Sequence, residues 1–421
     1  MEPRQPKRPN SLEQRLRPQD VRPDEAPGLQ DGKAVVRLFR EVHDNVHLVL
    51  AERVRDLFLV GDVALDERNP VAEVVEVRAV PRVRQQVERD HRVVGVLGNP
   101  VTDEIRPDES GSAGDEHPHS DIVDTIGAAY DLEDRLHILV TGAGGQFGAE
   151  LAPRLSAHDA VLLDHETLDV TDPIAVEGVL ESAGPDVIIH AAAWTDVDGC
   201  EDDPERARAT NVAGTRNVAA AAGDAFMILI STDYVFDGTA GRAYTETDET
   251  NPVQVYGRTK LEAEQAARAE TSSLAIARTA WLYGARTATG APAKNFVASI
   301  LRAAAGGPLD VVDDQVGSPT WTGDLADAVL ALAERAVPGT FHVANAGAVS
   351  RYDFARAILE LAGRDPGVVR AVATKDAAPR AAARPRYAPL DGVGWRSEGF
   401  DPLPEWRDAL SRALPGILDA G

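Results

Sequence analysis

An apolar run, Leu136-His137-Ile138-Leu139-Val140, leads directly into Thr141-Gly142-Ala143-Gly144-Gly145-Gln146-Phe147-Gly148, and no other stretch narrows the fold as much. Glycines at 142, 145 and 148 permit a tight turn, close backbone approach to a pyrophosphate, and close packing of helix on strand. Leu151 and Leu155 follow at helical spacing. The predicted helix therefore offers its N-terminal N–H groups to phosphates. A glycine-rich turn alone says little. Strand, turn and helix in this order predict a dinucleotide-binding unit, and with it an α/β fold of Rossmann type, a doubly wound parallel sheet.

A second predicted strand, Ala160-Val161-Leu162-Leu163, ends at Asp164, near the separation at which an acid reaches an adenosine ribose. A carboxylate there would accept from a 2′-hydroxyl and repel a 2′-phosphate, which leans toward NADH over NADPH. His165 and Glu166 follow at once, so a loop aspartate capping the next element reads the same letters. Pro185-Asp186-Val187-Ile188-Ile189-His190 contains the next buried strand and leads into Ala191-Ala192-Ala193-Trp194-Thr195. Small residues there let a flat cofactor lie against the backbone, or simply pack a core. Asn211 falls on the next helical segment, either as a buried amide holding backbone or water, or as a helix-surface residue.

The apolar strand Met227-Ile228-Leu229-Ile230 ends in Ser231-Thr232-Asp233-Tyr234. Hydroxyls at the carboxyl end of a parallel strand face the ligand crevice, so Thr232 is a candidate donor to a substrate carbonyl; the plainer alternative is a threonine closing a turn. Further on, Gln254-Val255-Tyr256-Gly257-Arg258-Thr259-Lys260 puts a phenol and an ammonium on one helix face. A lysine cation near a tyrosine favours the phenolate and lowers its pKa toward working pH, as a proton donor to a developing alkoxide requires. Tyr-x-x-x-Lys alone describes many exposed helical pairs. Glycine turn, Ser-Thr at a strand end, then Tyr-x-x-x-Lys is far more specific.

The 421 residues suffice for two domains, or one large domain with an appendage, and a hydrophobic fraction of 43% is compatible with a packed core. A formal net charge of −25 argues against nucleic acid or an anionic membrane as a partner. Lysine is scarce, only Lys7, Lys33, Lys260, Lys294 and Lys375 among 43 basic residues; a GC-rich genome or a high-salt proteome would each produce that. Cys200 is the sole cysteine, so no intrachain disulfide forms, and a reducing cytoplasm fits. No apolar run reaches the roughly 18 residues of a membrane span.

Residues 1–135 form an extension that reads as poorly structured or outside the natural product. Residues 1–30 are dominated by Pro, Arg, Gln and Asp, residues 34–97 hold valine-rich runs such as 71–77 that suggest strands, and residues 99–134 have linker composition. His117 and His119 lack a third ligand and read as a solvated loop. The abrupt change at Leu136 leads to the expectation that the working protein begins there, which intact mass from the native host would test.

Residues 136–421 resemble the extended short-chain dehydrogenase/reductases, and among them the reductases of nucleotide-linked 4-keto sugars. The resemblance rests on residues 141–148, 191–198, 231–238 and 255–260, on Arg278-Thr279-Ala280-Trp281-Leu282-Tyr283-Gly284, and on Asp314-Gln315-Val316-Gly317-Ser318-Pro319-Thr320. It implies a Rossmann-type sheet with a smaller C-terminal substrate-binding domain, formed mainly by residues 240–255 and 285–421. It also implies hydride transfer from NADH or NADPH to C4 of a dTDP-linked keto sugar, giving dTDP-L-rhamnose.

Carried over residue by residue, Tyr256 is the general acid, Lys260 holds the nicotinamide ribose and tunes Tyr256, and Thr232 orients the carbonyl. Asp233 and Trp281 match substrate contacts, although without the resemblance Trp281 reads as core. Gly142, Gly145, Gln146, Phe147 and Gly148, with Asp164, Asp169, Val170, Ala193, Trp194, Thr195 and Ile230, match cofactor contacts. Family members often pair as homodimers. Some bind magnesium, for which no ligand cluster is visible in this sequence, so no metal site is assigned.

Dehydratases of this fold carry a glutamate after the Thr-Asp pair, where this chain has Tyr234. Arg384 and Arg386 could face a diphosphate or simply the solvent. A non-catalytic nucleotide-binding regulatory subunit is the rival reading from outside the enzymes, and another 4-keto deoxysugar the rival within them.

Overall fold

The computed structural model describes residues 135–420 and two short strands nearer the N-terminus. Those two, β1 (Ala72–Val75) and β2 (Gly95–Gly98), pair antiparallel, with Ala72 opposite Gly98. The strand expected in the valine-rich run at 71–77 is β1. The other expectations for residues 1–134, including the His117/His119 loop and a working start at Leu136, lie outside the described residues.

From His137 the chain alternates strand and helix. In order come β3 (His137–Thr141), α1 (Gln146–Arg154), β4 (Asp159–Leu163), α2 (Pro173–Ala183) and β5 (Val187–His190). Then follow α3 (Val197–Asp202), α4 (Pro204–Arg208), α5 (Gly214–Ala220), β6 (Phe226–Thr232), α6 (Val255–Glu270) and β7 (Leu274–Thr279). Local chemistry sets these boundaries. At α2, for instance, the Asp172 carboxylate accepts from the N–H groups of Ile174 and Ala175, Pro173 occupies the first turn, and left-handed Gly184 ends the helix.

The C-terminal part adds β8 (Leu282–Tyr283), α7 (Phe296–Ala303), β9 (Leu309–Val312), β10 (Val316–Gly317), β11 (Thr320–Trp321) and α8 (Thr322–Arg335). It ends with β12 (Gly339–His342), β13 (Val349–Ser350), α9 (Arg351–Leu361), β14 (Val369–Val372), α10 (Val393–Ser397) and α11 (Trp406–Ala420).

Six strands make one parallel sheet in the order β12-β7-β6-β5-β3-β4. Its strands alternate in side-chain direction, as two buried faces require. Ile138, Val140, Ile189 and Ile228 pack with Phe147 and Leu151 of α1 and Leu325, Val329 and Leu332 of α8. Leu139, Ile188, Met227 and Leu229 point the other way, onto Val176 and Leu180 of α2 and Val218 of α5. The chain runs from β3 outward to β4, then reverses to β5. This reversal opens a crevice at the carboxyl ends of β3 and β5, where ligands of doubly wound sheets bind.

A smaller core gathers α7, α9 and α11 around the parallel pair β9–β14, through Val297, Ile300, Phe354, Ile358, Leu410 and Leu414. Residues 322–342 depart from the expected division. Grouped by sequence with the smaller domain, they instead supply α8 to the large core and β12 to the edge of the large sheet beside β7. The cause is pairing at long range, with Phe341 opposite Ala277.

Candidate active site

The glycine turn is built as its spacing predicts. Gly142 has φ +74°, and a Cβ there would meet the Ala192 nitrogen at 2.5 Å, so side-chain residues are excluded on both counts. At Gly148 a Cβ would run into the Ala143 backbone, which lets α1 start tight against β3. A Cβ at Gly145 would face almost open space, its nearest neighbour the Gly142 carbonyl at 3.6 Å, leaving a cradle at the mouth of α1 of the kind a pyrophosphate occupies. The side chain of Phe147 is core, so its backbone N–H is what it can offer a ligand. Gln146 ties the turn to the smaller core, donating to the Leu282 carbonyl at 3.4 Å and accepting from Asn295 at 3.1 Å.

Asp164 closes a turn beside the glycine loop. Its carboxylate accepts from the N–H groups of Glu166 and Thr167 at 3.0 Å, and its Cβ lies 3.0 Å from where a Gly144 Cβ would sit. The Thr167 hydroxyl and N–H hold it below the usual carboxylate range. Asp169 is likewise lowered, by bonds from the Thr171 N–H and hydroxyl, whereas the side chain of Val170 is core.

Across the crevice, Ala193, Trp194 and Thr195 follow β5 as irregular backbone. Asn211 holds them. Fully buried in a π-helical widening between α4 and α5, it accepts from the Trp194 N–H at 2.7 Å and donates to the Trp194 carbonyl at 3.2 Å and the Thr259 hydroxyl at 3.0 Å. Of the two roles open in sequence, it has the buried one. Beneath the crevice, His190 bridges Thr141 at 2.7 Å and Thr215 at 3.0 Å. Because the Thr215 hydroxyl donates to the Asn211 carbonyl, it accepts from His190, which places the ring proton on Nε2. Burial pushes this imidazole down to about 3.

Thr232, Tyr256 and Lys260 converge at the carboxyl end of β6, all at least nine-tenths buried. The Thr232 hydroxyl donates to Asp233 at 3.1 Å and accepts from the Tyr234 N–H at 3.2 Å. Tyr234 and Tyr256 meet edge to face with centroids 6.0 Å apart. The bond that the Lys260 ammonium makes is to the strand, not to the phenol. The ammonium donates to the Ile230 carbonyl at 2.8 Å, and burial pushes it down to about 8. The Tyr256 phenol is raised rather than lowered, by burial first and then by Asp233. Without cofactor this tyrosine holds its proton firmly.

Asp233 is 2% exposed, its Oδ2 finds no partner among the described residues, and burial raises it to about 7. Trp281 adopts φ +47°, a strained conformation for a large side chain. Its ring packs against Gly317 and lies under the Arg351 guanidinium, 3.4 Å from the centroid. One ring face is therefore taken, leaving the ring only part of its surface for a sugar or base. The charge of Arg351 acts on Tyr234 and Asp233 across the site, a junction that the spacing of residues did not reveal. Arg384 makes a two-pronged pair with Asp198 at 2.9 and 3.1 Å, its side chain only 12% exposed, while Arg386 is 76% exposed and pairs with Asp314. Among the described residues no three His, Cys, Asp or Glu side chains converge as a metal site requires.

Residues 136–417 match the family model of the RmlD substrate binding domain. The chain is 46% identical over 291 residues to a dTDP-4-dehydrorhamnose reductase of Mycolicibacterium smegmatis, covering 67% of this chain and 86% of that protein. It is 40% identical over 288 residues to a dTDP-4-keto-6-deoxy-D-glucose reductase of Streptomyces niveus, covering 67% and 97%. The solved dTDP-4-dehydrorhamnose reductase of Bacillus anthracis, in complex with NADP, aligns with a TM-score of 0.63 at 35% identity, over 67% of this chain and 99% of that one. With its model matched over most of the length, and a glycine turn, a strand-end threonine and a Tyr-Lys pair in one crevice, this chain belongs to the dTDP-4-dehydrorhamnose reductase family of extended short-chain dehydrogenase/reductases.

Proposed function

We propose that this chain reduces the C4 keto group of dTDP-4-dehydro-L-rhamnose with NADH or NADPH, giving dTDP-L-rhamnose. The observation that carries the reading is the burial of Thr232, Tyr256 and Lys260 together at the end of β6, across the crevice from the glycine turn. The cofactor, when bound, supplies the hydride. As charge grows on the C4 oxygen, Tyr256 delivers its proton and the Thr232 hydroxyl orients and stabilises the same oxygen. Lys260 exchanges part of its hold on Ile230 for the ribose hydroxyls and stabilises the phenolate left on Tyr256. Asp233 and the exposed part of Trp281 meet the sugar, and Arg351 and Arg384 supply cations for the diphosphate. Asp164, ionised beside the glycine turn, favours a free 2′-hydroxyl and hence NADH.

The test is oxidation of NADH and of NADPH by the full chain with dTDP-4-dehydro-L-rhamnose, the product identified by chromatography and mass. Formation of dTDP-L-rhamnose is the expected result. The Streptomyces niveus relative favours a second reading, another dTDP-linked 4-keto deoxysugar, and turnover of that sugar alone would select it. Tyr256→Phe separates catalysis from regulation. A catalyst loses on the order of 100-fold or more in kcat while keeping cofactor affinity, whereas a nucleotide-binding subunit is unaffected. The proposal includes a cytoplasmic homodimer, as the family resemblance implies, and sedimentation of the full chain tests the pairing. None of the described helices is long and apolar enough to cross a membrane.

A further inference from the structure

One turn beyond Lys260, on the same face of α6, lies a carboxylate with no solvent exposure at all, Glu264. It accepts from the Ser231 hydroxyl at 2.6 Å and from Arg278 through Nε at 2.9 Å and Nη2 at 2.7 Å, with Arg268 at 3.5 Å on the outer side. Ser231 stands between Ile230, whose carbonyl holds the Lys260 ammonium, and Thr232. Arg278 lies directly opposite Ser231 in the β6–β7 register. A single carboxylate thus fastens the helix bearing Tyr256 and Lys260 to the strand end bearing Thr232. Burying such a pair is costly, and an apolar pair of similar volume would pack as well, so packing alone does not call for charge here.

We propose that Glu264 is a positioning residue that keeps Lys260 protonated and in register with the end of β6. The titratable groups whose charge couples to Lys260 are Glu264 on its own helix and His190 from β5. Burial drives the lysine toward the neutral amine, and of these groups it is Glu264 that opposes it. A neutral Lys260 would stabilise neither the phenolate of Tyr256 nor the cofactor ribose as well, so the carboxylate sets the alkaline limit of turnover.

The inference rests on the reductase reading for its activity readout, but its first readout does not. The chain has five lysines, so carbon-13 labelling of lysine gives few resonances, and the buried Lys260 can be assigned with Lys260→Met and followed through a pH titration. Glu264→Gln is expected to lower the Lys260 midpoint by about one unit or more, and to move the alkaline limb of kcat/KM down in parallel. Glu264→Gln with Arg278→Gln avoids an unpaired guanidinium and is expected to show the same shift, while Glu264→Asp retains the charge and restores the limb. Lys260 midpoints that coincide with the unsubstituted protein in both glutamine variants overturn the proposal, whatever happens to the melting temperature. Failure of both to fold also overturns it, in favour of a structural pair. A shifted midpoint in a protein that turns over no keto sugar would keep the proposal for Lys260 and sink the reductase reading instead.

Discussion

Asp233 is the side chain that stability alone would not place in this crevice. It is buried with one oxygen unpartnered and raised to about 7 from an unfolded value near 3.8. The folded protein therefore binds a proton that the unfolded chain has released at any pH between those values. The sign follows: this group costs no stability below about 4, and the cost grows as pH rises toward 7 and is constant above. For a shift of this size it is on the order of 4 kcal/mol. Asp233→Asn, unable to ionise, is expected to unfold at higher denaturant than the unsubstituted protein at pH 8 and to match it near pH 4. The same variant is expected to lose roughly tenfold or more in kcat/KM, because the carboxyl faces the position assigned to the sugar. Denaturant midpoints across that range, beside kinetics at pH 7, check both. A rise in stability without loss of turnover would remove Asp233 from the substrate contacts.

At the level of elements, α6 and the segment after β6 approach so closely that one position has no room for a side chain. A Cβ on Gly257 would run into the Tyr234 carbonyl and come within 2.6 Å of the Gln254 amide oxygen. Gly257→Ala is therefore expected to push the first turn of α6 outward and move Tyr256 from Thr232. That predicts a drop in kcat on the order of 100-fold with cofactor affinity largely kept, and a stability loss of about 1–3 kcal/mol, measured by steady-state kinetics, cofactor titration and melting. This approach also shows what could be read in advance. The glycine turn, the strand-end Thr232 and the Tyr256–Lys260 pair were legible because each is a local pattern whose spacing carries its geometry. Glu264, one more turn along the same helix face, has the same local spacing. Arg351 carried no such local pattern, since only the folding of α9 onto the Trp281 segment brings its guanidinium over the ring. For the same reason α8 and β12 were grouped with the wrong core, their partners α1 and β7 lying far back in the chain. Burial, which adjacency in sequence cannot register, raises the Tyr256 phenol, while the Lys260 ammonium is bonded to Ile230.

Taken over the whole molecule, the pH dependence of stability is a contest between groups buried for opposite reasons. His190 is locked neutral under the sheet between Thr141 and Thr215 and pushed down to about 3, while His342, bonded to the Tyr244 carbonyl, is pushed down to about 4. Below about pH 6.5 the unfolded chain protonates both imidazoles and the native state does not, so each removes stability as pH falls, by up to about 1.4 kcal/mol per unit. Asp233 acts with the opposite sign over much of the same window, returning stability as pH falls from 7 toward 4. Between pH 4 and 6 the unsubstituted protein is thus expected to lose stability less steeply than His190 and His342 alone would dictate. His190→Gln should make the fall shallower and Asp233→Asn should make it steeper, and in the double variant the two changes of slope should add, because the residues sit at the ends of different strands. Denaturant midpoints of the four proteins at half-unit intervals of pH measure this directly. Equal slopes in the unsubstituted protein and His190→Gln would show that the imidazole gains its proton without unfolding, and that the sheet can open locally at the switch between β3 and β5.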